Sequence, residues 1–167
     1  LGTTDDNLKS AFAGKAQTSR MYIAFAEAAE EEGHRQIAKL FRAAAESEAV
    51  HAMHHLRTSG GVLTTEENLK MSIERENLEH SKKYTEFIEQ SKKDGRSQAT
   101  LGFNYAKKVE MDHERSFKEA EQSLNRKKDL PLQRLFVCQI CGQIHVDDPP
   151  KTCPVCGNPS EMFKEIK

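Results

Sequence analysis

Every proline and every cysteine of this 167-residue chain lies in its last 37 residues: Pro131, Pro149, Pro150, Pro154 and Pro159, with Cys138, Cys141, Cys153 and Cys156. The first 130 residues hold neither type. Proline inside a helix costs about 3 kcal/mol, so a proline-free stretch rich in Ala, Glu, Lys and Leu is free to be helical throughout, and so sharp a change marks a domain boundary. Glycine supplies the breaks. Gly33, Gly60-Gly61 and Asp94-Gly95 divide the stretch into four segments that start near the cap-capable Thr4, Thr64 and Thr65. At 1.5 Å rise per residue each segment spans roughly 40 Å. The pattern predicts a mainly α protein: an antiparallel four-helix bundle over residues 1–125, a linker at 126–134 and a small metal-binding domain at 135–167.

An internal repeat supports four helices in two related pairs. A shift of 62 positions superposes Gly33 on Gly95, Gln36 on Gln98, Phe41 on Phe103, Ala44 on Ala106, Glu48 on Glu110 and His51 on His113, with Tyr22 on Tyr84 one helix earlier. Each pair carries one Glu-x-x-His unit, Glu48 with His51 and Glu110 with His113. That spacing puts carboxylate and imidazole on one helix face, within reach of one ion. Counting about 100° per residue, Glu48 falls in line with Ile37, Phe41 and His55, and Glu110 with Ala99, Phe103 and Phe117. Glu76 and Glu79 join them from the third helix, Glu76 in line with Leu69 and Phe87 by the same count. Four carboxylates and two histidines on inner faces would be desolvated together, at several kcal/mol per unpaired charge. The arrangement calls for cations, and a dinuclear metal site is the expectation. Of the other histidines, only His55 stands where it can support a ligand; His34, His54, His80 and His145 read as bystanders.

The C-terminal cysteines form two knuckles, Cys138-Gln139-Ile140-Cys141-Gly142 and Cys153-Pro154-Val155-Cys156-Gly157, with eleven residues between Cys141 and Cys153. Four thiolates from two turns make a tetrahedral site for zinc or iron, and the spacing favours neither. A module this small cannot bury a sufficient core alone, so the competing reading is a zinc ribbon whose ion merely holds the fold.

With these motifs the chain resembles the rubrerythrin family, which joins a ferritin-like di-iron bundle to a rubredoxin-like domain. The Ala11-Phe12-Ala13-Gly14 opening, Glu48-x-x-His51, Glu76-x-x-Glu79, Glu110-x-x-His113 and both cysteine knuckles carry the resemblance over essentially the whole length. It implies that Glu48 and Glu110 bridge two irons and that Glu76 and His113 complete one of them. Glu79 and His51 would exchange on the other with redox state. Tyr22 and Tyr84 match family tyrosines near the cluster. Cys138, Cys141, Cys153 and Cys156 would hold one iron as Fe(Cys)4. The implied activity is reduction of hydrogen peroxide to water, with electrons passed singly through the Fe(Cys)4 centre from an NAD(P)H-linked reductase, in a homodimer or higher homo-oligomer.

The resemblance fails at one position. The family's opening motif continues with a ligand glutamate, and this chain has Lys15 there, on the inner face of helix 1. An ammonium has no electron pair to give a metal. It either takes the place of an ion by pairing with Glu48, Glu79 or Glu110, bends away while an external ligand fills the gap, or redirects the chemistry. The expectation is a weakened or empty first iron position. The alternative function is then a ferritin-like metal-binding or electron-transfer protein with an impaired di-iron site. A redox or metal sensor is a further alternative, for which the chain offers no dedicated surface.

Charge excludes other classes. Lys and Arg number 25 against 26 Asp and Glu, a formal charge of -1, so nothing favours nucleic acid or an anionic membrane surface. No run approaches the roughly 18 apolar residues of a membrane helix. Asp5 and Asp6 stand where a signal peptide needs a basic and then an apolar run, so the sequence reads as cytoplasmic.

Overall fold

The computed structural model describes residues 2–167. They form two compact units, one ending at Leu63 and one running from Thr64 to Lys167.

The first unit is a helical hairpin of α1 (Thr4–Glu31) and α2 (Arg35–Thr58). Thr3 caps α1 through a capping box with Asp6. At the turn, Gly33 adopts φ +85°, which lets the His34 N–H reach back to the Ala29 carbonyl at 2.7 Å. Between the helices the buried residues are alanines: Ala26 and Ala29 on α1, and Ala38, Ala45 and Ala52 on α2. Three of these are seven apart, one heptad each, so the contact stripe stays on one face while the small side chains let the backbones approach closely. The Ser19 hydroxyl donates across the seam to the Ala45 carbonyl at 2.9 Å.

The second unit begins with another capping box, Thr64 with Glu67, at the head of α3 (Thr65–Leu78). A π-helical segment, Glu79–Lys83, follows and runs directly into α4 (Tyr84–Lys93). A second glycine turn, with Arg96 N–H donating to Ser91 at 2.9 Å, returns the chain as α5 (Ser97–Asn125). The four expected helices are present, the third being one rod with a π turn inside it. Among the described residues no helix is long and apolar enough to cross a membrane.

After α5 come β1 (Leu135–Cys138), β2 (Ile144–Val146) and β3 (Phe163–Ile166), a three-stranded antiparallel sheet ordered β2-β1-β3. Arg134 secures its entrance with a two-pronged contact to Glu165 at 2.9 and 3.1 Å, and its guanidinium lies over the Phe136 ring. The Lys108 ammonium on α5 donates to the Pro154 carbonyl at 3.2 Å, tying this module to the helices of its own unit.

Candidate metal centres

In the second unit, the end of α3 and the middle of α5 bring three expected ligands together. The donor atoms of Glu76, Glu110 and His113 lie within 4.8 Å of one another. His113 Nδ1 is 2.9 Å from Glu110 Oε2 and 3.9 Å from Glu76 Oε2. Burial pushes the Glu76 carboxyl up to about 7, helped by a hydrogen bond with Glu110 and by its charge. Among the described residues no Lys or Arg pairs with either acid. Two close carboxylates and an imidazole with no cation between them form a donor set suited to a divalent metal. Tyr84 faces the same cluster: burial first, then the charges of Glu110, Glu79 and Glu76, raise its phenol.

Glu79 is nearby but already has cations, with Lys83 Nζ at 3.3 Å and Arg75 Nε at 3.5 Å from its Oε1.

The first unit holds the remaining pair, Glu48 and His51 on α2. Lys15 Nζ from α1 sits 2.8 Å from Glu48 Oε2, and His51 Nδ1 is 3.6 Å from the same oxygen. The Lys15 ammonium is the main cause holding the Glu48 carboxyl below its ordinary value, against the opposing effect of burial. Of the three outcomes expected for Lys15, the structure shows ammonium pairing with Glu48. Tyr22 packs on Phe25 and Phe41 at 6.1 and 6.0 Å; its repeat-mate Tyr84 packs on Phe87 and Phe103 at 6.0 and 6.2 Å. His55 makes no ligand contact; its Nδ1 is buried without a partner among the described residues.

Two features escaped the sequence reading. The first is the π segment. By the 100° count Glu76 lines up with Phe87, but a π turn absorbs one residue without advancing the helical phase, so Tyr84 takes that line instead. A signal was available: Thr3-Thr4-Asp5-Asp6-Asn7-Leu8-Lys9 matches Thr64-Thr65-Glu66-Glu67-Asn68-Leu69-Lys70 at a shift of 61, whereas Tyr22 onward matches at 62. One residue is inserted between, where the π turn lies.

The second is the polar brace beside it. His80, read as a bystander, approaches Glu114 Oε2 at 2.6 Å, and Asn77 donates to Oε1 at 3.1 Å. Glu114 is buried and also meets Lys118 at 2.7 Å. Hydrogen bonds from Lys118, His80 and Asn77 pull its carboxyl down to about 2 against the opposing effect of burial. Across the π turn, the Thr85 hydroxyl serves the carbonyls of His80 and Ser81 while accepting from Lys107 at 2.8 Å.

The cysteines behave as the spacing predicts. All four are free thiols and their sulfurs lie within 4.8 Å of one another, with Cys138–Cys156 at 3.7 Å and Cys141–Cys153 at 3.5 Å. These separations are far beyond the roughly 2.05 Å of a disulfide. Four sulfurs placed tetrahedrally about 2.3 Å from a metal stand about 3.8 Å apart, so the set fits one ion. Gly142 and Gly157 hold φ of +85° and +74°, which lets each knuckle close with its N–H donating to the first cysteine's carbonyl at 2.9 Å. Burial pushes the Cys141 thiol up. Burial also raises Cys156, but hydrogen bonds from Asn158 outweigh it and bring that thiol down to about 7.

Long helices carrying Glu-x-x-His units, followed by a tetracysteine module on a small sheet, define a ferritin-like protein with a rubredoxin-like appendage. The Rubrerythrin family model matches residues 6–121, and the model described as Rubrerythrin, rubredoxin-like domain matches residues 136–164. A putative rubrerythrin of Methanocaldococcus jannaschii is 33% identical, the match covering 96% of this chain and 91% of that one. Nigerythrin of Nitratidesulfovibrio vulgaris is 32% identical, covering 98% and 86%. Among solved structures, fully reduced, all-ferrous nigerythrin matches with a TM-score of 0.58 at 29% identity, covering 99% of this chain and 88% of that one. The chain belongs to the rubrerythrin family. Its cofactors are accordingly a non-haem di-iron site and one Fe(Cys)4 centre, which settles the zinc-or-iron alternative for the thiolates.

Proposed function

We propose that this protein is a rubrerythrin-type peroxidase that reduces hydrogen peroxide to water. The observation that carries the reading is the pairing, in one unit, of an uncompensated Glu76–Glu110–His113 donor set with a complete tetrathiolate set. Glu48, His51, Glu76, Glu79, Glu110 and His113 are the proposed bundle ligands. Ferrous ions held there would supply the two electrons that, with two protons, turn one peroxide into two waters. Cys138, Cys141, Cys153 and Cys156 would hold the relay iron, whose single electrons would come from an NAD(P)H-linked reductase. The Tyr84 phenol, whose proton is held more firmly because of burial and the charges of Glu110, Glu79 and Glu76, would donate a hydrogen bond to peroxide. Tyr22 is its counterpart on α1.

The proposed domains are 1–125 and 135–167, joined by 126–134, working in a cytoplasmic homodimer or larger homo-oligomer that handles oxidative stress. Ile37, Leu40, Val50 and Met53 leave α2 with exposed apolar surface, which supports self-association. Only monomers in sedimentation at micromolar concentration would count against it.

The test is anaerobic. The reduced protein is mixed with peroxide while the visible absorbance of the cysteine centre is followed. Rapid reoxidation of that centre and catalytic peroxide loss with a reductase are expected; no turnover above the free-iron rate would overturn the proposal. A second reading, an impaired di-iron site serving metal binding or electron transfer, rests on the Lys15–Glu48 pair at 2.8 Å. The same turnover measurement separates the two.

A further inference from the structure

The two units contain the same three-residue constellation with one charge reversed. Counting by the chain's own repeat, Glu48 and His51 correspond to Glu110 and His113 at a shift of 62. Lys15 corresponds to Glu76 at the shift of 61 that holds before the π turn. Where α3 presents a carboxylate to Glu110, α1 presents an ammonium to Glu48. The compensation differs accordingly. Lys15 neutralises Glu48, and Lys83 and Arg75 neutralise Glu79, whereas Glu76 and Glu110 have only the imidazole of His113.

From this asymmetry we infer that the two metal positions load unequally. Glu76, Glu110 and His113 take the first divalent ion, and the Lys15 ammonium acts as a resident competitor that the second ion must displace from Glu48. The inference rests on the metal-binding reading above and deepens it. A divalent ion entering beside Glu48 meets a carboxylate already paired, a like charge a few ångströms away, and one carboxylate fewer than its counterpart. Repulsion between a unit charge and a divalent ion at that range, even in a solvent-like dielectric, is worth an order of magnitude in affinity. His51 does not restore the balance. Its side chain is 54% exposed, against 23% for His113, so it is less firmly held to receive an ion.

The experiment uses the full chain with its cysteine centre loaded with iron and its bundle stripped. Mn2+ is the probe, a hard ion that suits carboxylate and imidazole and does not compete for thiolates. Calorimetry gives affinities, and the electron-spin signal of free Mn2+ gives stoichiometry. The parent is expected to take up one ion per chain tightly and a second at least about tenfold more weakly. Lys15→Met keeps the helix propensity and removes only the charge, and should tighten the second ion severalfold without changing the first. Lys15→Gln carries the same expectation should the methionine variant fold poorly. Glu76→Lys, which makes the two constellations alike, should abolish the tight ion. Two equal ions in the parent, or a second affinity that both neutral Lys15 variants leave unchanged, would overturn the inference. Absence of any bundle ion in all these proteins would overturn the metal-binding reading itself, and the inference with it.

Discussion

Glu76 should destabilise the metal-free protein, and removing its charge should make the apo chain more stable while ending its use of the metal. The perturbation is Glu76→Gln, which keeps the shape and deletes the ionisation. Burial and Glu110 raise the carboxyl from an ordinary 4.5 to about 7, so between these values the folded chain binds a proton that the unfolded chain releases. Stability of the apo parent therefore falls as pH rises through that window, and the full penalty is present above it. At about 1.4 kcal/mol for each tenfold change in proton affinity, the penalty is roughly 3 kcal/mol, a large share of the ~5–15 kcal/mol that stabilises a typical domain. The assay is urea unfolding of the apo protein followed by helical circular dichroism near pH 4.5 and pH 8. The variant should match the parent within about 0.5 kcal/mol at the lower pH and exceed it by about 2–3 kcal/mol at the higher. Equal stability at pH 8, or an unchanged loss of stability between the two, would refute the argument that this acid is held ready for a cation.

Glu114 should show the opposite sign. Its carboxyl is depressed to about 2, so its contribution is fully present above about pH 4.5 and disappears as pH falls toward 2. Glu114→Ala leaves His80 and Asn77 without their acceptor and should lose on the order of 2 kcal/mol in thermal unfolding at neutral pH, with a shallower acid transition. Cys156→Ser removes one of the four sulfurs of the tetracysteine set; the visible absorbance of the Fe(Cys)4 centre should vanish while the far-ultraviolet signal of the helices persists, and a native visible spectrum would refute the ligand assignment.

Local chemistry made much of this molecule readable. Absence of proline licensed long helices, and positive-φ glycines at 33, 60 and 95 ended them. The threonine caps were legible to within a residue: the first helix is capped by Thr3 rather than Thr4. Both cysteine knuckles follow from spacing, because a metal-binding turn is a local object. What the residue pattern could not supply was partnership across elements. Glu114 looks like one more acid on a charged helix, and only packing on the π segment shows it accepting from His80, 34 residues earlier. Lys15 was legible as an anomaly. That Glu48 rather than Glu79 or Glu110 would take its charge depends on how closely the alanine seam draws α1 and α2 together.

The π turn is the element on which the second metal constellation depends, because it sets the phase between Glu76 and Tyr84. In α1 the matching residues, Lys15 and Tyr22, are seven apart, about 700° and so within roughly 20° of one line. Glu76 and Tyr84 are eight apart, which on an uninterrupted α-helix would leave them about 80° out of line. The π segment absorbs the difference, closed by the Tyr84 N–H donating to the Glu79 carbonyl. Deleting the exposed Ser81 removes the residue that the π turn absorbs, so Glu76 and Tyr84 become seven apart on a continuous α-helix, the spacing of Lys15 and Tyr22 in α1, and stay within roughly 20° of one line. Ile88 and Ser91, buried in this unit, keep their places because the phase downstream does not change. Helix content should be retained, and tight Mn2+ binding should stay within a fewfold of the parent's. A deletion variant that kept its helices but bound Mn2+ about tenfold more weakly would show that the π turn does more than absorb one residue, and the one-residue difference between the two halves of the repeat would lose its physical explanation.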